Sequence, residues 1–155
     1  MKTKKFVALG DTHFGWEYRD GVKTPIHNLR AIRATVDFIG DYEPDQICLM
    51  GDIIDCGEIS HWNQKKKLSL EGLRLKDSLD LAYKEVFDPL SFVCNDLHYV
   101  FGNHEAWIYD VLEELPGLEG LVGVNEYLNL LGLGWNLYPL GTGIPLGKLL
   151  LHNGS

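Results

Sequence analysis

Apolar runs that stop abruptly at glycine, aspartate or histidine recur along this chain, with helical patterns between them. The first is Lys5 to Gly10 (KFVALG), the second Gln46 to Met50 (QICLM) and the third Leu97 to Phe101 (LHYVF). Short runs bounded by turn formers predict strands, and the second, apolar on both faces, predicts one buried within a sheet. Between the first two, Ile26, Leu29, Ile32, Val36 and Ile39 recur at helical spacing. That spacing predicts a helix with Thr24 as N-cap, Pro25 at its first position and Gly40 closing it. A second helix is predicted from Leu68 to Leu90, where Leu75, Leu79, Ala82, Tyr83, Val86 and Phe87 form one stripe. Gly72 weakens its first turn and Pro89 marks its end. Beyond Pro116 the chain is rich in glycine and leucine. There the pattern supports a short helix from Val124 to Leu131 and strands around Trp135 to Tyr138 and Lys148 to His152. Strands alternating with helices place the chain in the α/β class.

The 155 residues, 45% of them hydrophobic and 23% charged, suffice for one domain with a sizeable core, and no repeat or linker divides them. The opening is basic, but its apolar run from Phe6 to Leu9 falls short of the roughly 7 to 15 residues of a secretory signal core. Cys48, Cys56 and Cys94 form neither a CxxC pair nor a disulfide framework. Both features point to a cytoplasmic protein without a membrane anchor. The formal net charge of -8 argues against a generally basic nucleic-acid surface. Lys2, Lys4 and Lys5, and separately Lys65 to Lys67, are the basic clusters, and each reads first as a solvated run.

Polar chemistry collects after three of the predicted strands. GDTH supplies Asp11 and His13, GDIID supplies Asp52 and Asp55, and GNHE supplies Asn103 and His104. Ligand sites of open α/β sheets lie beyond the carboxyl ends of the strands, so the three loops converge on one edge. Gly10, Gly51 and Gly102 let the chain turn there. Each motif alone has an ordinary alternative: Asp11 in a turn and His13 in a loop, Asp52 in a turn and Asp55 as an N-cap, Glu105 favouring a helix start. Together they gather carboxylates, imidazoles and an amide that call for a positive partner. Donors without a thiolate suit Mn²⁺, Fe, Zn²⁺ or Mg²⁺. Two such cations about 3.5 to 4 Å apart, sharing a carboxylate, would suit phosphoester hydrolysis.

GDTH, GDIID and GNHE, followed by a strand ending in His152, resemble the calcineurin-like metallophosphoesterase superfamily, whose pattern closes with G-H-x-H. The resemblance runs from about Asp11 to His152. It implies a β-sandwich flanked by helices, with residues 1–155 a single domain lacking its C-terminal part, since no G-H-x-H follows. It also implies two divalent cations, Mn²⁺ the leading candidate and Fe, Zn²⁺ or Mg²⁺ the alternatives. Asp11 and His13 would hold the first, Asp52 would bridge, and Asn103 and His152 would hold the second. His104 would be catalytic, donating a proton to the leaving group or stabilising charge, with Asp55 holding its orientation and charge. The implied nucleophile is a metal-bound hydroxide.

Protein phosphatases of the superfamily carry an arginine after the second aspartate, where this chain has Cys56. Loss of that bidentate donor turns the expected substrate from phosphoprotein or small-molecule monoesters toward phosphodiesters or nucleic acid. Without the last two histidines each metal shell is one ligand short, which predicts weak Mn²⁺ binding and poor turnover. An inactive metal-binding or interaction module is the alternative. HWNQKKK (His61 to Lys67) either lines a substrate channel or is an exposed loop with one buried tryptophan, Trp62; a single aromatic favours the second.

Overall fold

The computed structural model describes residues 4–153 apart from Gln64 and Lys66. Lys2 and Lys66, from the two basic clusters, lie outside the described residues. Strand β1 (Phe6–Leu9) is followed by an antiparallel hairpin of β2 (Trp16–Arg19) and β3 (Val22–Pro25). The hairpin occupies the place expected for the opening of the first helix. Asp20 (φ 51°) and Gly21 (φ 76°) form its turn, and two consecutive positive φ values match the twist of paired strands. Thr24 therefore lies in a strand, and Pro25 ends it, where a missing N–H costs little. Helix α1 (Leu29–Tyr42) starts later, with the Asn28 side chain accepting from the Ala31 N–H at 3.1 Å. It passes through Gly40 and stops at Glu43, which takes the left-handed conformation (φ 49°) that Gly40 was expected to supply.

Strand β4 (Gln46–Leu49) is buried at every position, as its two-faced apolar pattern predicts. The expected helix from Leu68 to Leu90 divides. Helix α2 (Lys67–Leu70) is a single turn, and Gly72 (φ 81°) redirects the chain before α3 (Leu75–Ala82). A π-helical turn, Tyr83–Phe87, then joins α3 to α4 (Asp88–Ser91). In that wider turn the Asp88 N–H reaches the Tyr83 carbonyl, and Pro89, which has no N–H to donate, sits inside the helical run.

Strand β5 (Leu97–Val100) is again wholly buried and runs directly into α5 (Asn103–Glu114). Helix α6 (Val124–Leu128) ends at Asn129 (φ 53°), earlier than the expected Leu131. Strand β6 (Trp135–Tyr138) has the expected bounds, and β7 (Gly143–Leu146) pairs with β8 (Leu149–His152).

Strands β1, β4, β5 and β6 form one parallel sheet in the order β1-β4-β5-β6. Alternation across the strands gives the sheet two faces. Ile47, Leu49, Leu97, Tyr99 and Trp135 meet the helices in the main core, together with Ile39, Val86, Phe87 and Ile108. Cys48 and Val100 face the other way and pack with Ile144 of β7. The α/β class holds, with helices flanking a parallel sheet. Among the described residues the second layer of the expected sandwich consists of the β7–β8 hairpin, and β8 is bonded to β7 rather than being a strand of the parallel sheet. No helix among the described residues is long and apolar enough to cross a membrane.

Candidate metal centre

Beyond β1 and β4 the chain continues to pair as loops. The Asp11 N–H donates to the Gly51 carbonyl (3.1 Å), His13 to Asp52 (2.9 Å), Phe14 to Ile53 (2.8 Å) and Asp55 back to Phe14 (2.9 Å). Within this zipper Asp11 (φ 55°), His13 (φ 46°) and Asp52 (φ 50°) all adopt left-handed backbone. That conformation is unfavourable for residues with a Cβ and persists only where its surroundings impose it. Its result is a convergence: Asp11, His13 and Asp52 each offer a ligand atom, and these atoms lie within 4.8 Å of one another.

Glu105 secures the second loop to the third. It is wholly buried, and its carboxylate accepts from the backbone N–H groups of Asp52 (3.0 Å), Ile54 (3.0 Å) and Gly102 (2.9 Å). Burial pushes its carboxyl above the usual range, with the Ile54 N–H bond opposing. Sequence reasoning assigned Glu105 only to a helix start; its position at N3 of α5, bonding back to the Gly102 N–H, was the available signal. The close approach also explains two glycines. A Cβ on Gly51 (φ 83°) would lie 2.5 Å from the Gly102 nitrogen, and one on Gly102 would lie 2.5 Å from the Asp52 nitrogen. Gly51 serves both turn and space, whereas Gly102 (φ -86°) serves space alone.

Asp52 is 7% exposed, and its Oδ1 accepts from the His104 N–H at 3.0 Å, in the first turn of α5 where the helix dipole favours a carboxylate. The Asp55 carboxylate lies between two imidazoles, 3.4 Å from His13 Nδ1 and 3.6 Å from His104 Nδ1. His13, Asp55 and His104 form a second cluster with ligand atoms within 4.8 Å. The Asp55 carboxylate raises the pKa of His13 above its ordinary value; burial opposes this, and the charges of Asp52 and Asp11 reinforce it. His104 Nδ1 is 2.5 Å from the Asp55 backbone carbonyl. A carbonyl only accepts, so Nδ1 carries the proton and Nε2 is the free nitrogen. Asp55 thus meets His104 through its backbone oxygen more closely than through its carboxylate.

Asn103 is exposed at the start of α5, and His152, exposed at the end of β8, belongs to neither cluster. Asn153, which sequence reasoning did not single out, reaches the site edge: its Nδ2 is buried without a hydrogen-bond partner and lies where a Gly51 Cβ would be. Cys56, in the place of the absent arginine, is wholly buried, and burial holds its thiol well above its ordinary pKa, so it cannot grip a phosphate. Trp62 is 72% exposed, which overturns the expectation of a buried indole.

Two carboxylates and an imidazole converging through hard and borderline donors, one carboxylate buried, fit a divalent cation. The chain matches the family described as calcineurin-like phosphoesterase over residues 4–155. It is 26% identical over 155 residues to the Gene 54 protein of Mycobacterium phage L5 and 27% identical to the Gene 54 protein of Mycobacterium phage D29. Each comparison covers 97% of this chain and 56% of the relative, so the chain spans about half the length of these curated relatives. The family match over nearly the whole chain and the three motif-bearing loops, whose candidate ligands gather at one sheet edge, agree: this chain belongs to the calcineurin-like phosphoesterase family.

Proposed function

We propose that the chain carries the metal-binding and acid–base groups of a divalent-metal-dependent phosphoesterase that cleaves phosphodiesters or nucleic acid in the cytoplasm. The convergence of Asp11, His13 and Asp52 beside the Asp55–His104 pair carries this reading. Asp11, His13 and Asp52 would hold one cation, and Asp52, Asn103 and His152 would serve a second, with Mn²⁺ first among the metals and Fe, Zn²⁺ or Mg²⁺ behind it. When bound, the cations supply Lewis acidity, neutralising phosphoryl oxygens and acidifying water.

The protein groups supply orientation and a proton. Glu105 fixes the backbone beneath Asp52, and the His104 N–H fixes the direction of its carboxylate. His104 is anchored through Nδ1–H, so Nε2 faces the reaction, and a proton that it first takes up from solvent is the one it passes to the departing alkoxide, returning the ring to its neutral form. Asp55, close to both imidazoles, favours the charged form of His13. The diester preference rests on the buried Cys56: nothing at that position clamps a dianionic monoester.

The test compares bis(p-nitrophenyl) phosphate with p-nitrophenyl phosphate in Mn²⁺, with and without EDTA. Faster EDTA-sensitive turnover of the diester is expected, and His104→Ala should lose turnover while elemental analysis finds the metal retained. Faster monoester turnover would refute the substrate assignment. Metal binding without turnover of either ester would favour the interaction module.

A further inference from the structure

We propose that single-stranded nucleic acid leaves the candidate metal centre along a row of aromatic rings, His104, Trp107, His61 and Trp62, with a base stacked on the exposed indole of Trp62. This rests on the phosphoesterase reading and names its substrate. The row begins at the site, where the His13 and His104 rings are 4.6 Å apart between centroids. It continues from His104 to Trp107 (4.2 Å), from Trp107 to His61 (6.3 Å) and from His61 to Trp62 (4.5 Å). These steps are of the size at which aromatic rings pair.

Two separate segments build the row. Trp107 stands on α5, which starts at the third motif, and His61 and Trp62 stand on the loop that follows the second. Exposure rises along it, from 21% for the His104 side chain to 72% for Trp62. Exposure alone does not mark a site: Phe92 is 81% exposed, yet among the described residues it has no aromatic neighbour, and it follows α4. Trp62 differs because its ring is continuous with the candidate catalytic histidine.

The chemistry selects the occupant. A phosphoester that also offers flat π faces at regular intervals is a polynucleotide, and base–aromatic stacking tolerates any sequence. The formal net charge of -8 leaves little room for binding through phosphates alone, so stacking has to supply the affinity. Lys65, exposed shortly after Trp62, adds a local positive charge on the same loop.

The experiment measures fluorescence polarisation of a labelled deoxyadenylate octamer bound to the full chain in EDTA, which blocks turnover, against an octamer of abasic sites with the same phosphates. The base-bearing octamer should bind about tenfold tighter or more, and Trp62→Ala should weaken it by about 5- to 100-fold and erase the preference. Trp62→Phe should keep part of it. Circular dichroism checks that the variants fold, and the exposure of Trp62 leads us to expect that they do. Equal affinity for the two octamers, or an unchanged Trp62→Ala, would overturn the proposal. Metal-dependent hydrolysis of bis(p-nitrophenyl) phosphate without any base preference overturns the aromatic row and leaves the phosphoesterase reading standing. Base-dependent binding that Trp62→Ala abolishes, with no hydrolysis in any metal, supports the row and refutes that reading.

Discussion

The loops at the carboxyl edge of the sheet and the β7–β8 hairpin both lie against β4 and β5, but they are held there by opposite means. Under the loops Glu105 is wholly buried and Asp52 is 7% exposed, and hydrogen bonds from side chain to backbone set the shape. In the hairpin, backbone pairing sets the shape, Ile144 is the buried anchor, and Leu149 and Leu150 remain 66% and 58% exposed. A buried carboxylate is tolerable only while its bonds are complete, whereas exposed leucines on a paired strand lose little when changed. The site should therefore be brittle and the hairpin tolerant.

Glu105→Ala should break the site most severely. It strands three buried backbone N–H groups, and about 3 to 6 kcal/mol of unfolding free energy should disappear in urea titrations. Glu105→Gln should restore part of that, and a loss in Glu105→Ala below about 1 kcal/mol would erase the contrast between the regions. Gly51→Ala comes next. Its left-handed φ of 83° and the neighbouring Gly102 nitrogen leave a methyl group no room, so about 2 to 4 kcal/mol and most of the Mn²⁺ affinity should go.

A smaller effect belongs to an ordinary ion pair, useful as a yardstick for the buried carboxylate. Arg33 donates twice to Glu85, at 2.7 Å each, and that bond holds the Glu85 carboxyl below its ordinary value. A lowered folded pKa stabilises the protein above the ordinary glutamate range and loses that contribution as pH falls through the folded value. The stability advantage of the wild type over Glu85→Gln should accordingly be present near pH 7 and shrink on acidification, as read by thermal melting across pH. Least of all should follow from Leu149→Lys, within about 0.5 kcal/mol, measured in the same melts. A large loss there would show that the hairpin carries more of the fold than its exposure indicates.

Local signals made much of this legible. Strand ends, the three polar motifs and the two-faced apolar β4 all lie within a few consecutive residues, and β6 matched its expected bounds. Misreadings arose where two local signals competed or where a distant partner decided. Asp20-Gly21 is a hairpin turn in plain view, but the helical period from Ile26 to Ile39 drew the helix start back to Thr24. Pro89 would ordinarily stop a helix; the π turn before it depends on wider packing. Trp62 looked solitary because Trp107, its neighbour through His61, belongs to a different motif. Asn153 came into reach only through the path of β8.

The bonds from Glu105 to Asp52 and Ile54 span 53 and 51 residues of chain, so the site also has a place in time. Closing a loop of that length has to precede the bonds that stabilise it, which makes these contacts slow to form relative to the helices. The three motifs can each be complete in a chain whose β4 and β5 have not yet met, and such a chain has neither the His13–Asp55–His104 cluster nor the Glu105 bonds that fix the backbone of Asp52. Metal affinity thus reports on the docking of those two strands. In a refolding experiment it should return only with the parallel sheet, after the helical signal, and in a weakened variant it should be the first property to fade.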